Sequence, residues 1–143
     1  MKVICIRQPY ASRIAWGLKT IEVRSWSTAY RGELLISATG KDYTFPRLWK
    51  PVVLAGGGYA IATVVLADVR PLLQSDCQAA FMKPEYWEPG LYAWVFRNPQ
   101  VIVPFKVQGK LCIFEVQCKP VQLVESEGKE HSDLIFQLRS AKK

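Results

Sequence analysis

Hydrophobic residues in this chain come in short, closely spaced runs, and most of them alternate as strands do. Val3–Ile6 is apolar and rich in β-branched residues, which predicts a buried strand. Pro9 is placed to open a helix and Gly17 to end it, with Tyr10 and Ile14, and Ala11 and Ala15, at helical spacing. Strands are predicted at Thr20–Ser25 and Glu33–Ser37, with Arg31-Gly32 in the turn between them. Asp42–Gly58 reads as irregular because it carries Pro46, Pro51 and three successive glycines. Tyr59–Val69 is apolar on both faces, as a strand buried on both sides requires. Ser75-x-x-Gln78 has the form of a capping box and predicts a short helix over Asp76–Phe81. Further strands are predicted at Leu91–Phe96, Gln100–Val103, Leu111–Cys118 and Val121–Val124. Glu125–Asp133 is polar and reads as a mobile loop; Leu134–Arg139 can add a last strand or helical turn. The pattern predicts one α+β domain over residues 1–143, mainly β: a small, mostly antiparallel β-barrel with two or three peripheral helices.

Composition narrows the partners more than the fold. Half of the 143 residues are apolar and 22% are charged, ordinary values for a globular chain long enough to bury a core. The net charge of +7 favours polyanionic partners, RNA or DNA above all. The four cysteines, Cys5, Cys77, Cys112 and Cys118, form no C-x-x-C pair. Cys112 and Cys118 share strand parity with Phe114 and Val116 and read as small buried hydrophobes. With no signal peptide or membrane span recognised, a reduced, cytoplasmic setting and a monomer are expected.

Several chemistries are excluded. His131 is the lone histidine, so a two-histidine ribonuclease site is out of reach. No cysteines stand at zinc-ligand spacing, so no metal is expected. There is no G-x-S-x-G, and Gly56-Gly57-Gly58 lacks the Lys-Ser/Thr of a phosphate loop, so no nucleotide cofactor is expected either.

What remains is Lys19, Glu22 and Arg24. Strand parity puts Glu22, Arg24 and Trp26 on one face; Lys19 reaches Glu22 only if the chain bends near Gly17. Such a cluster can grip a base or phosphate, with Arg24 as a planar fork, Lys19 as a point charge and Glu22 accepting from an exocyclic amine. If catalytic, Lys19 would need a depressed pKa, which burial and Arg24 favour and Glu22 opposes. Spacing alone favours the plainer reading: a Glu22–Arg24 salt bridge with Lys19 solvated.

The surrounding blocks carry a resemblance. Gln8-Pro9-Tyr10-Ala11-Ser12, then Gly17-x-Lys19-x-x-Glu22-x-Arg24-Ser25-Trp26, then Tyr30-Arg31-Gly32-Glu33-Leu34-Leu35-Ile36 resemble an ASCH domain. The likeness resumes at Trp94–Gln100 and Pro104–Lys110. It implies a PUA-like barrel whose G-x-K-x-x-E-x-R motif lines a ligand cleft, and it raises the functional reading of that cluster above the plain one. Some bacterial ASCH proteins resemble a minimal amidohydrolase acting on acetylated cytidine, with K-x-x-T-x-R as the motif. Here Glu22 stands at the threonine position, so the hydroxyl nucleophile is missing; Thr20 shares Glu22's face.

Around the motif, Trp26 and Tyr30 are placed to stack on bases, each stack being worth about 1–3 kcal/mol. Gln8 and Tyr10, at the start of the first helix, can line a base or anion site, with Ser12 in a capping role. Arg31, Lys41, Arg47, Arg97, Asn98 and Lys106 form a cationic groove if barrel closure gathers them beside Arg24, whereas Lys110 reads as a surface lysine that keeps the protein soluble. Trp94 and Phe96 read as core, whereas Trp49 and Trp87 can flank a cleft. The leading expectation is a nucleic-acid-binding module. The alternative is a small hydrolase acting on a modified nucleoside or RNA through Lys19 and Glu22. A protein-interaction module is the third reading and has no specific sign in the chain.

Overall fold

The computed structural model describes residues 1–41, 43–45, 52–54 and 57–123. The expected loop over 125–133, the last element over 134–139, Arg47, Trp49 and His131 lie outside the described residues. Six strands form one curled sheet: β1 (Lys2–Arg7), β2 (Ile21–Arg24), β3 (Gly32–Thr39), β6 (Tyr59–Pro71), β7 (Tyr92–Lys106) and β8 (Phe114–Glu115). Their order across the sheet is β2-β7-β6-β3-β1-β8. β1 and β3 are parallel, and every other pair in this sheet is antiparallel. The result is a mostly antiparallel half-barrel, in line with the small barrel that the pattern predicted and the PUA-like fold that the resemblance implied.

Bulges supply the curl. The β6–β7 register shifts at three places and the β3–β6 register shifts at Ile36/Ser37, and each extra residue bends its strand and adds twist. One of them sits where Val65 pairs with Arg97 and Thr63 with Gln100; Asn98 takes φ 53° there, a conformation asparagine tolerates. The two strands expected over Leu91–Phe96 and Gln100–Val103 are therefore one bulged strand of 15 residues.

The single α-helix among the described residues, six-residue α1 (Tyr10–Ala15), plugs the concave face. Ala11, Ile14 and Ala15 pack there against Ile4, Leu34, Val64 and Trp94. On the convex face Val3, Leu35, Ala60 and Ile102 are covered by Phe114, Val116 and Cys118. A third cluster, Ile21, Leu72, Ala80 and Ala93, pins the excursion between β6 and β7 onto β2.

Four expectations need correction. The helix over Asp76–Phe81 is a 3-10 turn, Gln74–Asp76, followed by turns, and a second 3-10 turn spans Pro84–Tyr86. The Asp76 carboxylate accepts the Leu73 N–H and grips Arg70 through two bonds of 2.7 and 2.9 Å, so the chain is capped at Leu73 rather than at Ser75. The strand over Leu111–Cys118 shrinks to β8, with Cys112 exposed at φ 59°. The segment read as irregular contains a hairpin, β4 (Tyr43–Phe45) with β5 (Val52–Leu54). The expected strand Val121–Val124 is represented among the described residues by one bridge between Ile102 and Gln122.

Candidate functional site

The site grows from the end of α1. Leu18 and Lys19 both donate their N–H to the Arg13 carbonyl, and Gly17 at φ 78° reverses the chain. That bend folds the Lys19 side chain inward, where it is 3% exposed. It was expected solvated if unliganded; instead it is among the most buried polar groups described.

β2 is an edge strand, and its register explains what Lys19 and Glu22 do. The Phe96 N–H donates to Thr20 O, so alternate residues of β2 bond to β7, and the Ile21 C=O and Val23 N–H face outward. Lys19 Nζ donates to that Ile21 carbonyl at 2.7 Å, and Glu22 Oε1 accepts from that Val23 N–H at 3.1 Å. The two side chains complete the edge of their own strand.

They are also linked to each other and beyond. Lys19 Nζ lies 3.4 Å from Glu22 Oε1 and donates to Ala80 O at 2.6 Å. Arg24 Nη2 donates to Glu22 Oε2 at 3.2 Å and to the Cys5 carbonyl at 2.9 Å. Cys5 lies on β1, far across the sheet order from β2, so Arg24 ties together two strands that the sheet alone leaves apart. Lys19–Glu22–Arg24 is thus a relay fastened at each end to a backbone carbonyl.

Burial pushes the Lys19 ammonium below the usual lysine pKa; the Glu22 carboxylate opposes this, while Arg24 and Arg13 add to it. Its ammonium meets three oxygens: it donates to Ile21 O and Ala80 O and pairs with Glu22 Oε1. Lys19 in this arrangement is a donor and a counter-charge.

Above the relay lies a cleft of about 320 Å³. Lys19, Glu22 and Val23 form its floor, and Tyr10 from α1 faces Ala80, Phe81 and Met82. Lys83 and Tyr86 stand at the mouth. Three aromatic rings are presented to solvent there: Tyr10 at 38%, Phe81 at 42% and Tyr86 at 66% exposure. Phe81 sits at φ 53°, costly for a bulky residue and held by its neighbours. The Arg13 guanidinium lies 4.8 Å over the Phe81 ring and 5.7 Å from that of Tyr10, with no carboxylate partner among the described residues.

A second cavity, about 390 Å³, opens on the other side of Lys19 between Gly17, Thr20 and the Arg97-Asn98-Pro99 bulge.

The structure gathers Tyr10, Lys19, Glu22 and Arg24 and puts Arg97 beside the second cavity. The other expected site residues lie apart from the cleft. Gln8 is buried and folds back on α1, accepting the Ser12 N–H at 3.0 Å and donating to Ser12 Oγ at 2.8 Å. Trp26 packs edge-on against Trp94 at 4.7 Å between ring centres. The Tyr30 hydroxyl donates to Glu33 O, and Arg31 is held by the Thr28, Tyr30 and Val69 carbonyls and by Asp68 at 3.6 Å. Lys106 donates to Gly57 O beside the Tyr59 ring, and Lys41 is exposed after β3. Trp87 is half-buried, its indole N–H on Leu72 O at 2.9 Å. Sequence reasoning missed Arg13, Phe81, Lys83, Tyr86 and the carbonyls of Cys5 and Ala80. Only Phe81-Met82-Lys83-Pro84, an aromatic and a cation ahead of a turn-forming proline, gave a local hint.

Among the described residues no three His, Cys, Asp or Glu side chains gather as a metal site, and no helix is long and apolar enough to cross a membrane.

The curled, mostly antiparallel half-barrel with few helices among the described residues fits a PUA-like fold. Residues 4–110 match the ASCH domain family, and the chain belongs to it. It is 28% identical over 137 residues to activating signal cointegrator 1 of Mus musculus and to that of Homo sapiens, an alignment covering 81% of this chain. The chain spans only 22% of the length of those relatives. Among solved structures, ASCH from Zymomonas mobilis superposes with a TM-score of 0.59 at 18% identity, covering 81% of this chain and 87% of that one. At that identity the likeness speaks for the fold.

Proposed function

We infer that this ASCH domain is a nucleic-acid-binding module that takes one unpaired base of RNA or DNA into the cleft over Glu22. The carrying observation is the pairing of three exposed aromatic rings with a carboxylate at the cleft floor. Rings offer stacking to any base, and a carboxylate offers an acceptor to a base edge. A volume of about 320 Å³ is at the small end of ligand clefts, which span about 300–1,000 Å³, and suits one base rather than a duplex.

Charge supports a polymer over a free nucleoside. The chain carries +7, and Lys83 at the mouth and Arg13 on its ring faces are placed to meet phosphates on either side of a captured base. Arg24 and Lys19 act indirectly, by holding the Glu22 carboxylate in place. Arg97, beside the second cavity, extends the cationic surface past α1. Association with nucleic acid is also the general character of the ASCH family. We place the module in the cytoplasm, where Cys5, Cys77, Cys112 and Cys118 stay as thiols. The hydrolase alternative loses ground because the Lys19 side chain is tied to two backbone carbonyls and to Glu22.

The test is fluorescence anisotropy with labelled single- and double-stranded RNA and DNA at two salt concentrations, each endpoint run on a gel. Salt-sensitive binding to strands that stay intact, weakened about tenfold by Tyr86→Ala, is the expected result. No binding to any polymer overturns the reading, and cleavage of the strand returns the case to the hydrolase.

A further inference from the structure

A carboxylate offers about four lone-pair positions. In Glu22, Oε1 accepts from the Val23 N–H and faces Lys19 Nζ, and Oε2 accepts from Arg24 Nη2. One position, on Oε2, is open among the described residues, in a side chain that is 13% exposed and borders the cleft.

The inner cleft has no matching donor. The three N–H groups of Lys19 are engaged, and the Val23 N–H is held by Glu22 itself. On the facing wall the backbone N–H groups of Ala80, Phe81 and Met82 are taken by the carbonyls of Asp76, Gln78 and Cys77. Free donors, the Lys83 ammonium and the Tyr10 and Tyr86 hydroxyls, belong to the more exposed residues nearer the mouth. The depth of the cleft therefore presents an acceptor and no donor.

We propose that the cleft discriminates among bases by their exocyclic amines, taking cytosine, adenine or guanine in preference to uracil or thymine through the open position on Glu22. This rests on the reading that a base enters the cleft. An amine projects from the end of the base edge and can reach one lone pair in a narrow site. Uracil and thymine have no exocyclic amine. Their one edge N–H lies between two carbonyl oxygens, which would be pressed toward the carboxylate with no donor to meet them. The open position belongs to a carboxylate that faces Lys19 at 3.4 Å and Arg24 at 3.2 Å, so the selective bond is charge-assisted.

Labelled single-stranded oligo(C) and oligo(U) of equal length, titrated into the wild-type domain at one salt concentration, provide the test. They share a backbone and a ring size, so the base edge is what differs. Oligo(C) is expected to bind about tenfold tighter, the ratio one charge-assisted hydrogen bond gives. Oligo(C) carrying N4,N4-dimethylcytosine, which keeps the ring but loses both N–H donors, is expected to fall to the oligo(U) level. Glu22→Gln, whose amide can donate as well as accept, is expected to bring the C-to-U ratio toward one. Equal affinities for oligo(C) and oligo(U), or a preference for oligo(U), overturn the proposal while leaving base capture standing. Full binding of the dimethylated strand also overturns it, whether or not Glu22→Gln folds. No binding of any strand overturns base capture itself.

Discussion

Replacing Lys19 by methionine keeps the length and volume of the side chain and removes its charge and its donors. In the native protein Nζ bonds to two carbonyl oxygens, at 2.7 and 2.6 Å, and faces a carboxylate at 3.4 Å, in a side chain 3% exposed. The variant leaves the outward Ile21 carbonyl and the Ala80 carbonyl without this donor. It also leaves Glu22, 13% exposed, with Arg24 as its one cationic partner. Each hydrogen bond from a charged donor contributes about 1.5–3 kcal/mol, and removing one partner of a buried ion pair costs about 3–5 kcal/mol. Methionine avoids the burial of a charge, which returns part of this, so a net loss of about 3 kcal/mol is expected. Urea unfolding followed by the fluorescence of the five tryptophans reads it directly. With a slope of about 2 kcal/mol per M, the midpoint should fall by about 1.5 M. Lys83→Met, an exposed lysine of the same cleft, should move it by less than about 0.25 M. A Lys19→Met midpoint as close to wild type as that of Lys83→Met would refute the reasoning, since the buried bonds would then contribute nothing net.

Other outcomes follow from the same geometry. The Arg70 guanidinium holds the Asp76 carboxyl below the usual carboxylate range. Its stabilising effect is fully present above the unfolded-state pKa, near 3.9, and is lost as pH falls through the lower folded value. Unfolding midpoints of wild type and Asp76→Asn should therefore differ at pH 6 and converge toward about pH 2. Phe81→Asn should relieve the left-handed backbone and raise stability by up to about 1 kcal/mol while weakening oligonucleotide binding, read by urea unfolding and anisotropy on one preparation. Arg13→Ala should lower the slope of log affinity against log salt by about 1 if its guanidinium meets a phosphate. Gly17→Ala should cost about 1 kcal/mol or more, because an alanine at φ 78° strains the bend that buries Lys19.

How legible all this was depends on the range of the interactions involved. β1, α1, β2, β3 and β6 were readable because each is announced by its own residues: a β-branched run, Pro9 and Gly17, or an apolar stretch of strand length. The bend that lets Lys19 reach Glu22 was readable for the same reason, since Gly17 is two residues away. The 3-10 turn at Gln74–Asp76 was misread as helix because Asp76 is drawn to Arg70 on β6, a tertiary contact overriding a local capping pattern. β8 is short because its partner strand runs out: after the pairs Val3–Phe114 and Lys2–Glu115, Val116 exchanges hydrogen bonds with Met1, the first residue of the chain. The cleft itself was illegible. Its facing wall lies 61 residues from Lys19 in sequence, and no local pattern brings Ala80 or Phe81 opposite the motif. The stacking role expected of Trp26 came from aromatics interleaved with cations beyond the cluster, whereas its half-buried ring packs edge-on against Trp94.

The outward edge of β2 has a consequence beyond the cleft. A strand whose C=O and N–H groups point to solvent is a template on which another chain can add, the first step of edge-to-edge association. In β2 the outward carbonyl of Ile21 is occupied by Lys19 and the outward N–H of Val23 by Glu22. The motif residues therefore act as plugs against strand addition, and the proposed base selectivity would fall on the same two side chains. A variant redesigned at position 19 or 22 to accept a different base also uncovers a sticky edge, and its first symptom should be concentration-dependent self-association rather than loss of affinity.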